Sequence, residues 1–370
     1  MVHITSLLTV ASVCVGSVSW LIPGANALIP KLFGINYNAR IGPDWAEDAK
    51  KCKSAHEIKL DMEILAKVTS IVRFYSLTDC NQGALVIPAA INAGMNVSVG
   101  LWVSQDDAVF QAEKKKLQEL IKPERKIFRD DWIFDIHVGS EAIYRKEVTV
   151  AKNIEYLKEI KAICTENNNT ASIPVTIADI GDTYLEHEEL IDAVDIVSAN
   201  GFPFWEKTEI AVAAEHFRVR MEPLFKLAKS KNKEVFISET GWASGGASAK
   251  SSAANPASAL KYFKDFYSMA NANSWKYFYF EAFDEDWKVA KGAAAENNTV
   301  EAHFGLFYAN RTLKEVFQTL SVTESAGAIL EGSSTTAIST STGASTSNGA
   351  TTSTAASTGP NANGKDKCST

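Results

Sequence analysis

The chain has 370 residues, 46% of them hydrophobic and 10% aromatic, which is enough apolar material for one large core or two ordinary ones. Its formal net charge is −7 at pH 7, with no basic run to neutralise phosphates. That balance argues against a nucleic-acid partner and suits a neutral partner such as a polysaccharide.

In chain order, residues 7–22 form an uncharged, largely apolar stretch followed by Ala25-Asn26-Ala27. This reads as a secretory signal over residues 1–27 with cleavage after Ala27, a retained signal anchor being the alternative. No later segment is apolar enough to span a membrane, so no span is expected after signal removal. Eight short apolar runs follow: LFGINYN (32–38), IVRFYS (71–76), MNVSVGLWV (95–103), IFDIHVGSE (133–141), SIPVTIAD (172–179), VDIVSANGF (194–202), EVFISETGW (234–242) and KYFYFEAFDE (276–285). Each has the β-branched and aromatic content of a strand buried on both faces. Amphipathic helical patterns lie between them, among others over Ile58–Lys67, Asp107–Ile121, Ala151–Thr165 and Ala211–Lys229. Eight such strands within residues 28–320 predict an α/β fold, a closed (β/α)8 TIM barrel. A doubly wound open sheet is the competitor, but no Gly-rich phosphate-binding turn follows the first strand.

Near Leu320 the composition changes. Residues 321–370 form a Ser/Thr-rich low-complexity tail, uncharged from Gly332 to Gly364. Such a segment buries too little apolar surface to offset the entropy of ordering it. It is expected to be an O-glycosylated stalk or an unmodified flexible tail, and the polar ending Lys365-Asp366-Lys367-Cys368-Ser369-Thr370 supports no GPI signal. Signal removal leaves Cys52, Cys80, Cys164 and Cys368, which allow three pairings and match no zinc spacing. Cys52 and Cys80 bracket one helical segment and are the preferred pair, while Cys164 suits a buried thiol. Sequons stand at Asn96, Asn168, Asn297 and Asn310.

In a barrel of this kind chemistry sits at the C-terminal ends of the strands. Polar residues that end apolar strands are therefore the candidates: Arg73, Glu141, Glu239, Glu281 and Glu285. Carboxylates near a barrel core are costly unless they are paired or used. Glu141 and Glu239, on strands facing each other across the mouth, can flank one glycosidic bond, one as proton donor and the other as nucleophile or base. Taken singly, each reads equally well as a salt-bridged rim residue.

The motifs GINYN (34–38), IVRFYSLTDCNQ (71–82), VGSEAIYR (138–145), ANGFPFW (199–205), ISETGW (237–242) and FEAFDEDWK (280–288) resemble, in this order, those of glycoside hydrolase family 17. The likeness covers residues 32–320 and is closest to the fungal-type glucan endo-1,3-β-glucosidases and 1,3-β-glucanosyltransferases. It implies a retaining double displacement on β-1,3-glucan, with Glu141 as acid/base, Glu239 as nucleophile, and no metal or organic cofactor. Arg73 is expected to hydrogen-bond the nucleophile, and Tyr37, Tyr75, Trp242 and Trp287 to stack on sugar faces. Glu281, Glu285 and Lys288 resemble a polar cluster that supports the nucleophile or contacts hydroxyls. Two departures stand out: Ser140 where many relatives carry Asn, and Phe202 where many carry Tyr. The resemblance implies that the Asn reaches the sugar 2-hydroxyl and the Tyr the nucleophile, and Ser140 and Phe202 are expected at substrate-binding positions in their place.

Other chemistries are weaker. Val138-Gly139-Ser140-Glu141 lacks the second glycine of a nucleophile elbow. His56, His137, His187, His216 and His303 show no zinc spacing, and His137 reads as a satisfied core histidine. The run Glu186-His187-Glu188-Glu189 reads as the solvated start of a helix. The expected protein is thus a secreted, extracellular or wall-associated monomer acting on β-1,3-glucan. A transferase with the same carboxylates, or a non-catalytic glucan-binding wall protein, is the alternative.

Overall fold

A computed structural model describes residues 31–122, 126–289 and 299–320. The signal, the tail, Cys368 and the Asn297 sequon lie outside the described residues.

Eight parallel strands close into a barrel in sequence order: β1 (Gly34–Asn36), β2 (Ile71–Phe74), β3 (Asn96–Leu101), β4 (Ile133–Ser140), β5 (Val175–Ile180), β6 (Val197–Asn200), β7 (Val235–Thr240) and β8 (Lys276–Tyr279), with β8 pairing back to β1. The closed barrel is the expected fold. Its near-continuous apolar strands make sense because both faces are covered. The helices that cover it are α1 (Asp48–Lys51), α2 (Ala55–Leu65), α3 (Gln82–Asn92), α4 (Asp107–Leu120), α5 (Val150–Thr165), α6 (Gly181–Glu186), α7 (Glu188–Ala193), α8 (Ala213–Ser230) and α9 (Pro256–Ala272). Their starts carry local signals. Ser54 and Glu57 form a capping box before α2. Asn255 accepts from Ser258 N at the head of α9, where Pro256 occupies the first turn. The acidic run at 186–189 is split between two helices: Glu186 ends α6, His187 lies between them, and only Glu188 and Glu189 open α7.

Two strands are shorter than their apolar runs. β5 begins only at Val175, because Pro174 has no N–H for the ladder. β8 stops at Tyr279; beyond it Ala282 N still bonds to Asn36 O of β1 at 2.9 Å, while Glu281 and Asp284 bond with residues 304–307. The bonds are Glu281 N to Phe304 O at 3.2 Å, Leu306 N to Glu281 O at 2.9 Å and Asp284 N to Phe307 O at 2.8 Å.

Register shifts cluster where the chain turns towards the mouth: between His137 and Ser140, Ala199 and Asn200, and Ile237 and Thr240. Such bulges re-aim side chains at barrel rims. Gly139, at φ 90°, supplies the left-handed backbone that the first of them needs.

The barrel interior is unusually polar below the mouth. Ser98 hydrogen-bonds Asp135, and His137 meets Ser98 through Nδ1 at 3.3 Å and Ser198 through Nε2 at 2.7 Å. Burial pulls the His137 imidazole below its usual pKa, so it rests as the satisfied neutral core residue expected. Cys52 and Cys80 are joined as expected, and Cys164 is a buried free thiol whose pKa burial pushes up to about 12. Among the described residues no helix is long and apolar enough to cross a membrane, and no cluster of metal-ligating side chains occurs.

Candidate active site

The C-terminal ends of the strands open into a cleft of about 1710 Å³. Glu141, Ser140, Glu239, Tyr75, Phe202, Glu281, Glu285, Trp287 and Lys288 line it, as expected.

Glu239, on β7, is held from below. Arg73 Nη1 on β2 donates to Glu239 Oε1 at 2.9 Å, and Ser140 Oγ donates to the same oxygen at 3.3 Å. The guanidinium is itself fixed by Asn36, whose Oδ1 accepts from Nη1 at 2.8 Å. Asn36 Nδ2 in turn donates to Ser238 O at 3.1 Å. Arg73 is 1% exposed, and so tight an ion pair offsets the cost of burying two charges only with such extra hydrogen bonds. Oε2 of Glu239 accepts none of these bonds.

Glu141 sits one residue past β4 in the left-handed region, at φ 55°. Its Oε1 accepts from Asn200 Nδ2 at 2.7 Å, and Asn200 is oriented by Ser238 Oγ at 2.6 Å. Burial, followed by the charge of Glu239, raises the Glu141 carboxyl to about 7, while the Asn200 amide acts in the opposite direction. At neutral pH the two carboxyls therefore differ. Glu141 holds its proton to higher pH than an ordinary carboxyl, and Glu239 is paired with a cation.

The eighth-strand residues form a second group. Glu285 accepts from Asn38 Nδ2 at 2.7 Å and pairs with Lys288 Nζ at 2.5 Å. Burial alone would favour a neutral Lys288, but Glu285, Glu281 and Glu301 outweigh it and hold the ammonium charged. Glu281 is 2% exposed, and its Oε1 has no hydrogen-bond partner within the protein. Burial and the charge of Glu285 push its pKa well above the carboxylate range. Tyr75 Oη is likewise buried in the cleft wall, where it faces the Glu239 carboxylate.

Two expected stacking residues lie elsewhere. Tyr37 is 0% exposed, and its hydroxyl donates to Asp61 Oδ2 at 2.8 Å beneath Phe283. Trp242 is 2% exposed, donates to Ala253 O at 3.1 Å, and packs on Phe204 and Tyr262. Tyr37 follows inward-facing Asn36, so pleating turns its ring out to the helical layer. Trp242 lies three residues past Glu239, and its ring packs against Tyr262 of α9 in the same outer layer.

Several residues that matter were passed over in the sequence: Asn36 and Asn200, and the cleft-lining Asn38, Trp102, Tyr144, Trp205 and Glu301. Asn36 and Asn200 end apolar strands, which was the signal used for the glutamates.

Residues 34–305 match the family described as the BtgE/BtgC glycoside hydrolase domain. A glucan 1,3-beta-glucosidase of Candida albicans is 31% identical over 278 residues, spanning 72% of this chain and 88% of its own length. A probable glucan endo-1,3-beta-glucosidase of Aspergillus fumigatus is 32% identical over 310 residues, spanning 78% of this chain and 43% of its own. Among solved structures, the glycoside hydrolase family 17 beta-1,3-glucanosyltransferase of Rhizomucor miehei has a TM-score of 0.66 and 27% identity, covering 77% of this chain and 96% of that one. An active-site mutant of that enzyme in complex with laminaritriose gives the same figures.

Proposed function

The chain belongs to the BtgE/BtgC family of glycoside hydrolases, within family 17, and from that premise we propose that it cleaves β-1,3-glucan by a retaining double displacement. The observation that carries the mechanism is the pair of unlike carboxyls at the mouth. Glu141 holds its proton up to about pH 7, and Glu239 is matched to Arg73.

In the first step Glu141 gives its proton to the glycosidic oxygen while Glu239 attacks the anomeric carbon. Arg73 and Ser140 occupy Oε1, which leaves Oε2 free to form the bond. The C–O bond to the leaving sugar breaks, and a glycosyl-enzyme forms on Glu239. In the second step Glu141, now ionised, takes a proton from water, whose oxygen displaces Glu239 with a second inversion. If the hydroxyl of another glucan replaces water, the product is a longer chain. That second reading is favoured by the resemblance to the Rhizomucor miehei glucanosyltransferase. Secretion into the medium or wall fits the apolar run at residues 7–22 and the Ser/Thr-rich tail.

The test is incubation with a β-1,3-gluco-oligosaccharide, with products resolved by mass and the anomer formed first read by NMR. A β-anomer formed first and shorter products, both abolished in Glu239→Gln, are expected of a retaining hydrolase. Products longer than the substrate assign the transferase. Well-folded protein inactive on this substrate would leave only the non-catalytic glucan-binding reading.

A further inference from the structure

Behind Glu141 lies another buried carboxylate, Asp179 on β5, 0% exposed. Its Oδ2 accepts from the backbone N–H of Ile143 at 3.2 Å and of Tyr144 at 3.4 Å. Its Oδ1 accepts from Ile180 N at 2.8 Å, and the Thr183 side chain adds a further hydrogen bond; burial raises the carboxyl above its usual pKa while these hydrogen bonds oppose the rise. Ile143 and Tyr144 are the second and third residues after Glu141, in the turn that leaves β4. That turn also bonds to β5 through Glu141 N and Ala178 O at 2.9 Å, and closes on itself through Arg145 N and Glu141 O at 2.9 Å. A non-glycine residue at φ 55° costs about 1 kcal/mol and persists only where the surroundings over-determine it. Asp179 is the side chain that does so here.

We propose that Asp179 is the positioning residue of the acid/base: its carboxyl group pins the turn that carries Glu141 and places a second buried acidic side chain beside it. The inference rests on the assignment of Glu141 as acid/base. Four groups face Glu141: Glu239 from β7, Asn200 from β6, Asp179 from β5 and Arg145 from its own turn. Glu239 and Asp179 oppose its ionisation, whereas Asn200 and Arg145 favour it. Arg145 is also engaged with Glu147 at 3.0 Å and with the Trp102 ring at 5.0 Å. The charge of Glu239 disappears when the glycosyl-enzyme forms. From then on Asp179 is the remaining acidic neighbour among the four, and its ionised form keeps Glu141 basic enough to take the proton of water.

The test is Asp179→Asn, nearly isosteric, assayed on a β-1,3-gluco-oligosaccharide and on a β-glucoside whose nitrophenyl leaving group needs no proton. On the oligosaccharide the alkaline limb of kcat/KM should move down by about half a unit to one unit. Its kcat at neutral pH should fall about tenfold with KM held within about twofold. The nitrophenyl substrate should lose less than about threefold. An unmoved alkaline limb, with equal losses on both substrates that track a lowered melting temperature, would make Asp179 merely structural and overturn the proposal. Glu141→Gln, run in parallel, should lose the oligosaccharide yet still release a burst of nitrophenol, because the first step on that substrate needs no proton and only the second lacks its base. If it keeps both, the acid/base assignment fails by itself, whatever Asp179→Asn does. Should Asp179→Asn not fold, carboxyl 13C titration of the unaltered protein decides. Asp179 is expected to stay ionised while Glu141 titrates, and joint titration of the two overturns the proposal.

Discussion

At the scale of single residues, the site works by making two chemically identical side chains unlike. Glu141 and Glu239 end neighbouring layers of one barrel, yet one meets an amide and the other a guanidinium. The raised pKa of Glu141 sets the sign of two pH effects. Its folded value of about 7 exceeds the ordinary 4.5, so the folded state prefers the protonated form. The resulting stabilisation is present below pH 4.5 and is lost as pH rises through 7. Activity should fall along an alkaline limb near 7, and stability should drop over the same window by on the order of 1–2 kcal/mol. Glu141→Gln should abolish that loss, leaving the variant more stable than the parent at pH 8, as thermal melts across pH would register. The glutamates and Arg73 were legible in the sequence because a charge closing an apolar run has few structural explanations. Asn36, Asn200 and Asp179 sit at equivalent positions but passed as ordinary strand-end polar residues. What distinguishes them is the partner each meets, and no partner is adjacent in sequence.

At the scale of elements, the loops after β1 and β2 build one wall of the cleft and are fastened to each other. The Cys52–Cys80 disulfide closes a loop of sequence separation 28, and Arg40 adds two hydrogen bonds to Asp79 at 2.7 and 3.0 Å. Glu113 on α4 braces the second loop from behind, accepting from Leu77 N at 2.7 Å and Thr78 Oγ1 at 2.6 Å. A cross-link over that separation is worth about 3–4 kcal/mol on chain-entropy grounds. Replacing both cysteines, Cys52→Ser with Cys80→Ser, should lower stability by roughly that amount, measured by denaturant unfolding. Because both cysteines line the cleft but touch neither Glu141 nor Glu239, KM should rise while kcat stays within about threefold. An unchanged KM would mean that this wall contributes nothing to binding glucan. The pairing was readable from the helical segment it brackets, whereas the bracing by Glu113 was not, since α4 looks locally like any amphipathic helix.

For the whole molecule, barrel closure brings strand ends that are far apart in sequence to one mouth, and the loops around it leave a cleft rather than a closed pocket. At about 1710 Å³ it exceeds the several hundred to a thousand cubic ångströms of a small-ligand site. Trp102, Tyr144, Trp205 and Trp287 are among the residues that line it, side chains of the kind that pack on sugar rings. kcat/KM should therefore climb with chain length from the trisaccharide to the hexasaccharide of the β-1,3 series, by about tenfold or more. A flat series would confine binding to the rings beside the two carboxylates.

What the sequence determined by itself is the part of the structure that local periodicity encodes. Eight apolar runs buried on both faces, with amphipathic stretches between them, admit little besides a parallel barrel. The rule that chemistry sits at strand ends then points to Glu141 and Glu239. The tertiary structure decided which way each aromatic faces and which charge answers which. Tyr37 turned into the core because a one-residue step from Asn36 changes face, and Trp242, past the end of β7, because its ring packs on Tyr262. The Arg73–Glu239 pair spans 166 residues of chain, and the Asn200–Glu141 contact spans 59. Burial and proximity across such separations set the protonation of Glu141. They arise only when the barrel closes, because desolvation and Coulomb interaction depend on distance in space and not along the chain.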